Sequence, residues 1–176
     1  MTSPFAPDLL AGRTALVTGG GTGLGRSIAE GLSAAGASVV IAARQRERLA
    51  VAAAEISALT GNPVEADVVD IRDRETVETL AARHRIDILV NNAGGQFPQK
   101  ARDYSPNGWR SVIDLNLNGT WTMTQVFGNQ MLDAGGGSIV QIVALVGRGM
   151  PGIAHSSAAR AGVVELSRTL AFEWGP

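Results

Sequence analysis

The chain has 176 residues, 45% hydrophobic and 18% charged, which suits one globular domain, residues 1–176, with a sizeable core. Lys+Arg 15 against Asp+Glu 16 gives a net charge of -1 with the basic residues dispersed, so neither nucleic acid nor a membrane surface is an expected partner and a small-molecule substrate is. With no cysteine and two histidines, disulfides and thiolate metal sites are excluded and no metal is expected; without a cationic-then-apolar leader or a membrane-length apolar stretch, a cytoplasmic or other reducing intracellular compartment is expected.

Arg13 to Gly19 is a short apolar run ending in glycines, and Leu24 to Ala35 follows with apolar residues at helical spacing: strand, turn, helix. Ala37 to Arg44 reads as a second buried strand and Gln45 to Gly61 as an alanine-rich helix stopped by glycine. A third strand over Asn62–Asp70, a third helix over Arg72–His84 and a fourth strand over Ile86–Gly95 repeat the unit. Helical stretches over Pro106–Asn116 and Gly119–Ala134, a fifth strand over Gly137–Ala144 and a last helix over Ala154–Glu173 complete the chain. Alternating strands and helices with continuously apolar strands predict an α/β, doubly wound, Rossmann-like parallel sheet with helices on both faces. The expected order is 3-2-1-4-5, with a ligand crevice beyond the strand C-termini between strands 1 and 4.

Thr18 to Ser27, TGGGTGLGRS, sets Gly19, Gly23 and Gly25 where a strand turns tightly, admits a phosphate against bare backbone and starts a helix at Leu24. The N–H groups and dipole of that helix favour an anion. The second strand ends Ala42-Ala43-Arg44, without the carboxylate that would accept a ribose 2′-hydroxyl, and a guanidinium grips phosphate in a forked geometry; NADP(H) is therefore favoured over NAD(H).

Taken together, the glycine turn, ADVVD with Asp67 and Val68, NNAG at Asn91 to Gly94, and Asn116 in DLNLNG resemble the short-chain dehydrogenase/reductase family over essentially the whole chain. The resemblance implies that Asp67, with Val68 beside it, helps hold the adenine, that Asn91, Ala93 and Gly94 flank the cofactor, and that Asn116 supports a proton-relay water. It also implies further strands after the last helix, which this chain lacks. A C-terminally truncated sheet with an exposed fifth strand is therefore expected, together with a fragment of a longer frame or stabilisation by partners. A homo-oligomer is expected by resemblance.

The chain departs from the family where a serine should follow the fifth strand and Tyr-x-x-x-Lys should open the last helix. Val143 and Ala144 stand at the serine, Ser156 at the tyrosine and Arg160 at the lysine. Ser156 is a far poorer acid than a phenol, and arginine, which can still hydrogen-bond the cofactor, trades no proton near neutrality. NNAGGQF, SPNGW and AHSSAARAGVVELSRTLAFEWGP resemble the peroxisomal trans-2-enoyl-CoA reductase and 2,4-dienoyl-CoA reductase branch, which implies an acyl-CoA substrate. In that chemistry charge gathers on a thioester oxygen, so donors such as Ser156, with Asn116 through water and the fixed charge of Arg160, contribute without transferring a proton in the same instant. Two other readings stay open: a catalytically impaired dinucleotide-binding or assembly protein, and a carbonyl reductase using another acid such as Tyr104. His155 is expected to cap or pack the helix start.

Overall fold

A computed structural model describes residues 6–144, 147 and 149–175; residues 1–5, on which the leader reading partly falls, and Pro176 lie outside the described residues. Five strands, β1 (Thr14–Thr18), β2 (Ser38–Ala43), β3 (Val64–Val68), β4 (Ile88–Asn91) and β5 (Ser138–Gln141), form one parallel sheet in the order β3-β2-β1-β4-β5. The helices are α1 (Gly23–Ala34), α2 (Arg46–Thr60), α3 (Arg74–Arg83), α4 (Pro106–Ile113), α5 (Gly119–Asp133) and α6 (Ala154–Trp174).

The central strands β1, β2 and β4 read as apolar runs because successive side chains enter two separate cores, whereas β3 and β5 at the edges keep exposed positions. Ala15 and Val17 of β1 join Val39 and Ile41 of β2 under Ala29 of α1 and Leu49, Ala52 and Ile56 of α2. Leu16 and Val40 point the other way, onto Val77 and Leu80 of α3 and Met123, Phe127 and Met131 of α5. Burying such side chains from both faces contributes about 1.5–3 kcal/mol each, which is what fixes the register of these short strands.

Two strands stop earlier than their apolar runs predict. The N–H groups of Asn92 and Ala93 leave the ladder to donate to Thr18 Oγ1 at 2.9 Å, which closes β4 against the turn after β1. At β5 the carbonyl of Ile142 accepts from Arg160 Nη1 at 2.8 Å. The break expected between Asn116 and Gly119 is instead a π-helical turn, Asp114–Asn118, that joins α4 to α5 without interruption. β5 is an edge strand with Val140 46% exposed, and beside it α5 and the C-terminal half of α6 enclose a groove of about 670 Å³ lined by Met131, Ile139, Leu170 and Trp174. Among the described residues no helix is long and apolar enough to cross a membrane.

Candidate active site

A smaller cleft, about 150 Å³, opens at the C-terminal ends of the strands, where the order switches between β1 and β4. Gly19 lines it after β1, Ala42 to Arg44 at the end of β2, Val69 to Ile71 after β3, Ala93 and Gly94 after β4, and Leu115 from the π-helical turn. The glycine turn along its floor is closed to side chains at Gly19 and Gly25. A Cβ on Gly19, which has φ +68°, would meet Asn92 Nδ2 at 2.9 Å and Ala93 Cα at 3.2 Å, and one on Gly25 would meet the backbone of Gly19. Gly23 is held at φ +53° and opens α1; its N-cap, Thr22, makes no side-chain cap, so the first N–H groups of the helix receive no side chain from that residue. Leu24 is exposed on the first turn, 59% accessible.

Asp67 and Val68 are not where the sequence reading puts them. Asp67 belongs to β3 itself and turns to the far end of α3: its Oδ1 accepts from Arg83 Nη2 at 2.9 Å and from Val68 N–H at 2.8 Å, and its Oδ2 lies 3.0 Å from His84 Nε2. The acid at the cleft is Asp70, three residues on, in the loop that Asp73 ends by capping α3 with an acceptor for Glu75 N–H. Arg72 grips the Asp70 carboxylate through Nε at 2.9 Å and Nη2 at 2.5 Å, and this pairing, with the field of Arg44, holds Asp70 below the usual carboxylate range despite partial burial. Sequence reasoning missed Asp70, although the capping residue Asp73 marks where the strand must already have ended.

The two asparagines at the end of β4 turn their side chains apart. Asn91 is buried, and its Nδ2 donates to Thr124 Oγ1 at 3.0 Å, away from the cleft; Asn92 packs on the glycine turn and donates from Nδ2 to the carbonyl of Thr18 at 3.0 Å. Adjacent strand residues face opposite ways, so only one of the pair can face the turn.

Gly94 is where the remaining candidates meet. A Cβ there would collide with Arg160 Nη2 and lie 2.7 Å from Asn116 Oδ1. Asn116 is fully buried in the π-helical turn, and its amide is spent on backbone: Nδ2 donates to Gly95 O at 2.7 Å and to Val112 O at 2.8 Å, while Oδ1 accepts from Gly95 N at 3.1 Å. Its two side-chain donors are thus engaged in bracing the loop after β4. Arg160 is 9% exposed and spans from Gly94 to the carbonyl of Ile142; burial lowers its pKa from the ordinary value, which lies far enough above neutrality to leave it charged. Ser156, one turn earlier on the same face of α6, is 2% exposed. Val143 and Ala144 follow β5 at the position where a hydroxyl was expected. The hydroxyl of Tyr104 donates to Gly152 O at 3.1 Å, so its proton is already engaged. Among the described residues no group of three or more His, Cys, Asp or Glu side chains could hold a metal ion.

The parallel order 3-2-1-4-5, helices on both faces and a glycine-floored cleft at the switch point define a doubly wound, Rossmann-like α/β protein. The chain belongs to the short-chain dehydrogenase family, whose model matches residues 13–176. It is 38% identical to a peroxisomal 2,4-dienoyl-CoA reductase of Danio rerio over 181 residues, 99% of this chain and 60% of that protein. To the corresponding Arabidopsis thaliana protein it is 37% identical over 188 residues, 99% of this chain and 63% of that one. Among solved structures it is similar to a citronellol catabolism dehydrogenase from Pseudomonas aeruginosa PAO1, with a TM-score of 0.92 and 43% identity over 98% of this chain and 73% of the other. A Beutenbergia cavernae structure described as an NAD(P)-dependent gluconate 5-dehydrogenase, with NADP bound at low occupancy, matches at TM-score 0.89 and 41% identity, over 96% of this chain and 69% of that one. The chain spans about 60% of the length of these curated relatives.

Proposed function

We propose that the chain carries the cofactor and reaction-centre half of an NADP(H)-dependent oxidoreductase that reduces a conjugated enoyl thioester. The observation that carries this reading is a buried, permanently charged Arg160 against Gly94 with a buried Ser156 one turn earlier on the same helix, and the one tyrosine engaged elsewhere. Such a site offers donors and positive charge without a readily transferable proton.

The cleft suits a dinucleotide: Gly19 and Gly25 let the turn after β1 pack closely on Asn92 and on itself, Gly23 starts α1 with open space at its Cβ position, and Ala93 and Gly94 line the opposite wall. Arg44, exposed at the mouth and next to the Asp70–Arg72 pair, supplies a cation for a 2′-phosphate; Asp70 takes the adenine-side role expected of Asp67. The bound NADP in the Beutenbergia cavernae structure and the names of the dienoyl-CoA reductases support this reading.

A bound reduced nicotinamide would supply the hydride. As the β-carbon accepts it, the electron pair of the carbon–carbon double bond moves to the thioester oxygen. The Ser156 hydroxyl donates to that oxygen and Arg160 stabilises its negative charge from a fixed position. The α-carbon then takes a proton from solvent, which balances the two-electron reduction. Asn116 keeps Gly95, and with it the wall at Gly94, in place throughout. NADPH absorbance followed with crotonyl-CoA, beside binding titrations with NADPH and NADH, tests the reading. Turnover with tighter NADPH binding is expected; NADPH binding without turnover of short or long enoyl thioesters would leave a dinucleotide-binding module instead.

A further inference from the structure

The start of α6 has an unusual arrangement. Its N-cap, Ile153, has no polar side chain to satisfy the first N–H groups of the helix, and makes no side-chain cap. His155 takes over that task from inside the helix: its Nδ1 accepts from Ser156 N–H at 2.7 Å. The imidazole is fully buried, with Phe97 edge-on to it at a ring-centroid distance of 4.8 Å and Tyr104 tilted against it at 4.5 Å. Tyr104 Oη lies 3.5 Å from the same Nδ1.

Both aromatic partners come from the loop after β4, and that loop reaches the segment before α6 a second time. The carbonyl of Gly152, a residue at φ +83°, accepts from Gln99 N–H at 2.8 Å and from Tyr104 Oη at 3.1 Å. The acceptor Gly152 O and the packing of the His155 ring on Phe97 and Tyr104 therefore join the β4 loop to the helix that carries Ser156 and Arg160. The acceptor role of Nδ1 also fixes the tautomer: the ring proton sits on Nε2, which is buried without a hydrogen-bond partner among the described residues.

We propose that His155, as the neutral Nε2–H tautomer, is a positioning residue that locks the loop after β4 onto the first turn of α6 and so holds Ser156 in place and Arg160 against Gly94. It does not touch the reacting atoms; it acts through the Ser156 N–H and through the Phe97–Tyr104 pair. The catalytic consequence rests on the enoyl-thioester reading, whereas the lock itself does not.

The test uses the whole chain, which has only two histidines, His84 and His155, so that one variant assigns the ring signals. Nitrogen-15 NMR of the imidazoles is expected to show His155 protonated at Nε2 and bare at Nδ1; the opposite tautomer, or an imidazolium at neutral pH, overturns the proposal. His155→Asn places a carbonyl oxygen near the position of Nδ1, whereas His155→Phe keeps the ring and removes the acceptor. The Ser156 amide signal is expected to persist in His155→Asn and to move in His155→Phe. Turnover of crotonyl-CoA should fall in kcat by on the order of 10- to 100-fold in His155→Phe, the scale of a sub-ångström misplacement, with KM for the thioester unchanged, and recover in His155→Asn. Equal behaviour of the two variants in the amide signal would refute the lock. Absence of turnover in the unaltered chain would count against the proposed reaction only, because the tautomer and the Ser156 amide still decide the lock.

Discussion

The same substitution at two glycines of α1 should move stability in opposite directions. Alanine in place of glycine inside a helix recovers about 0.5–1 kcal/mol. At Gly31, exposed on the outer face, a methyl group meets no atom within 4 Å, so Gly31→Ala should realise that gain. At Gly25 the methyl would lie 2.9 Å from the carbonyl carbon of Gly19 and nearer still to its oxygen and to Asn92 Nδ2. Neither neighbour can yield freely: Gly19 sits at φ +68° with its N–H on Ala42 O at 2.7 Å, and Asn92 Nδ2 is held by Thr18 O. Overpacking against such a wall costs about 2–3 kcal/mol, which exceeds the helix gain and leaves Gly25→Ala destabilised by about 1–2 kcal/mol. The two variants should therefore differ by roughly 2 kcal/mol, or about 4–8 °C in Tm for a chain of this size. Thermal melts and urea titrations with a common m-value measure the difference. A Gly25→Ala protein as stable as Gly31→Ala would refute the packing argument. NADPH titration adds a second reading: Gly25→Ala should weaken binding and Gly31→Ala should not, and full affinity in the former would remove the turn from the cofactor seat.

Arg160→Met, which keeps the buried stem and removes the guanidinium, should weaken NADPH by about tenfold, the scale of one charge-assisted hydrogen bond; unchanged affinity would take Arg160 out of the cleft. Arg44→Ser should lower the preference for NADPH over NADH by about tenfold and reduce its salt dependence, measured as the ratio of the two dissociation constants. Asp70 has its folded-state pKa depressed, so its contribution is complete above the unfolded carboxylate value and is lost as pH falls through the lower folded one. Urea titrations across that acid range should show wild type losing stability relative to Asp70→Asn, and parallel curves would contradict the pairing with Arg72. Tyr104→Phe removes the bond to Gly152 O and should cost about 1 kcal/mol in urea while enoyl-thioester reduction persists; abolished turnover would make Tyr104 the acid.

Much of the architecture was legible because β1, β2 and β4 carry apolar runs that are buried between helical layers, as Leu16 and Val17 show by entering opposite cores. The glycine turn was legible for a similar reason: Gly19, Gly23 and Gly25 each answer a backbone demand that residue type alone expresses. What the sequence hid was choice between like residues at neighbouring positions. Asp67 and Asp70 both stand near the end of β3, so type and rough position agree for either member. The register decides, and it is set by side-chain caps such as Asp73 and by Thr18 Oγ1 receiving the N–H groups of Asn92 and Ala93. The π-helical turn was equally hidden, since it follows from Asn116 being tied to Gly95 across 21 residues.

Arg160 joins the structural and chemical sides of the site. A lysine at this position has one nitrogen, which either ties down a carbonyl or faces a ligand; a guanidinium has three in a rigid fork. Here Nη1 is spent on Ile142 O at the end of β5 while Nη2 stands against Gly94 at the end of β4, so one side chain spans the two strand ends and still carries its charge to the cleft wall. On the proposed reaction that division suits the missing phenol: with no proton to pass along, the side chain needs only to hold positive charge still. The rigidity comes from the same bond that shortens β5, which makes the departure from Tyr-x-x-x-Lys at Ser156 and Arg160 a coupled change.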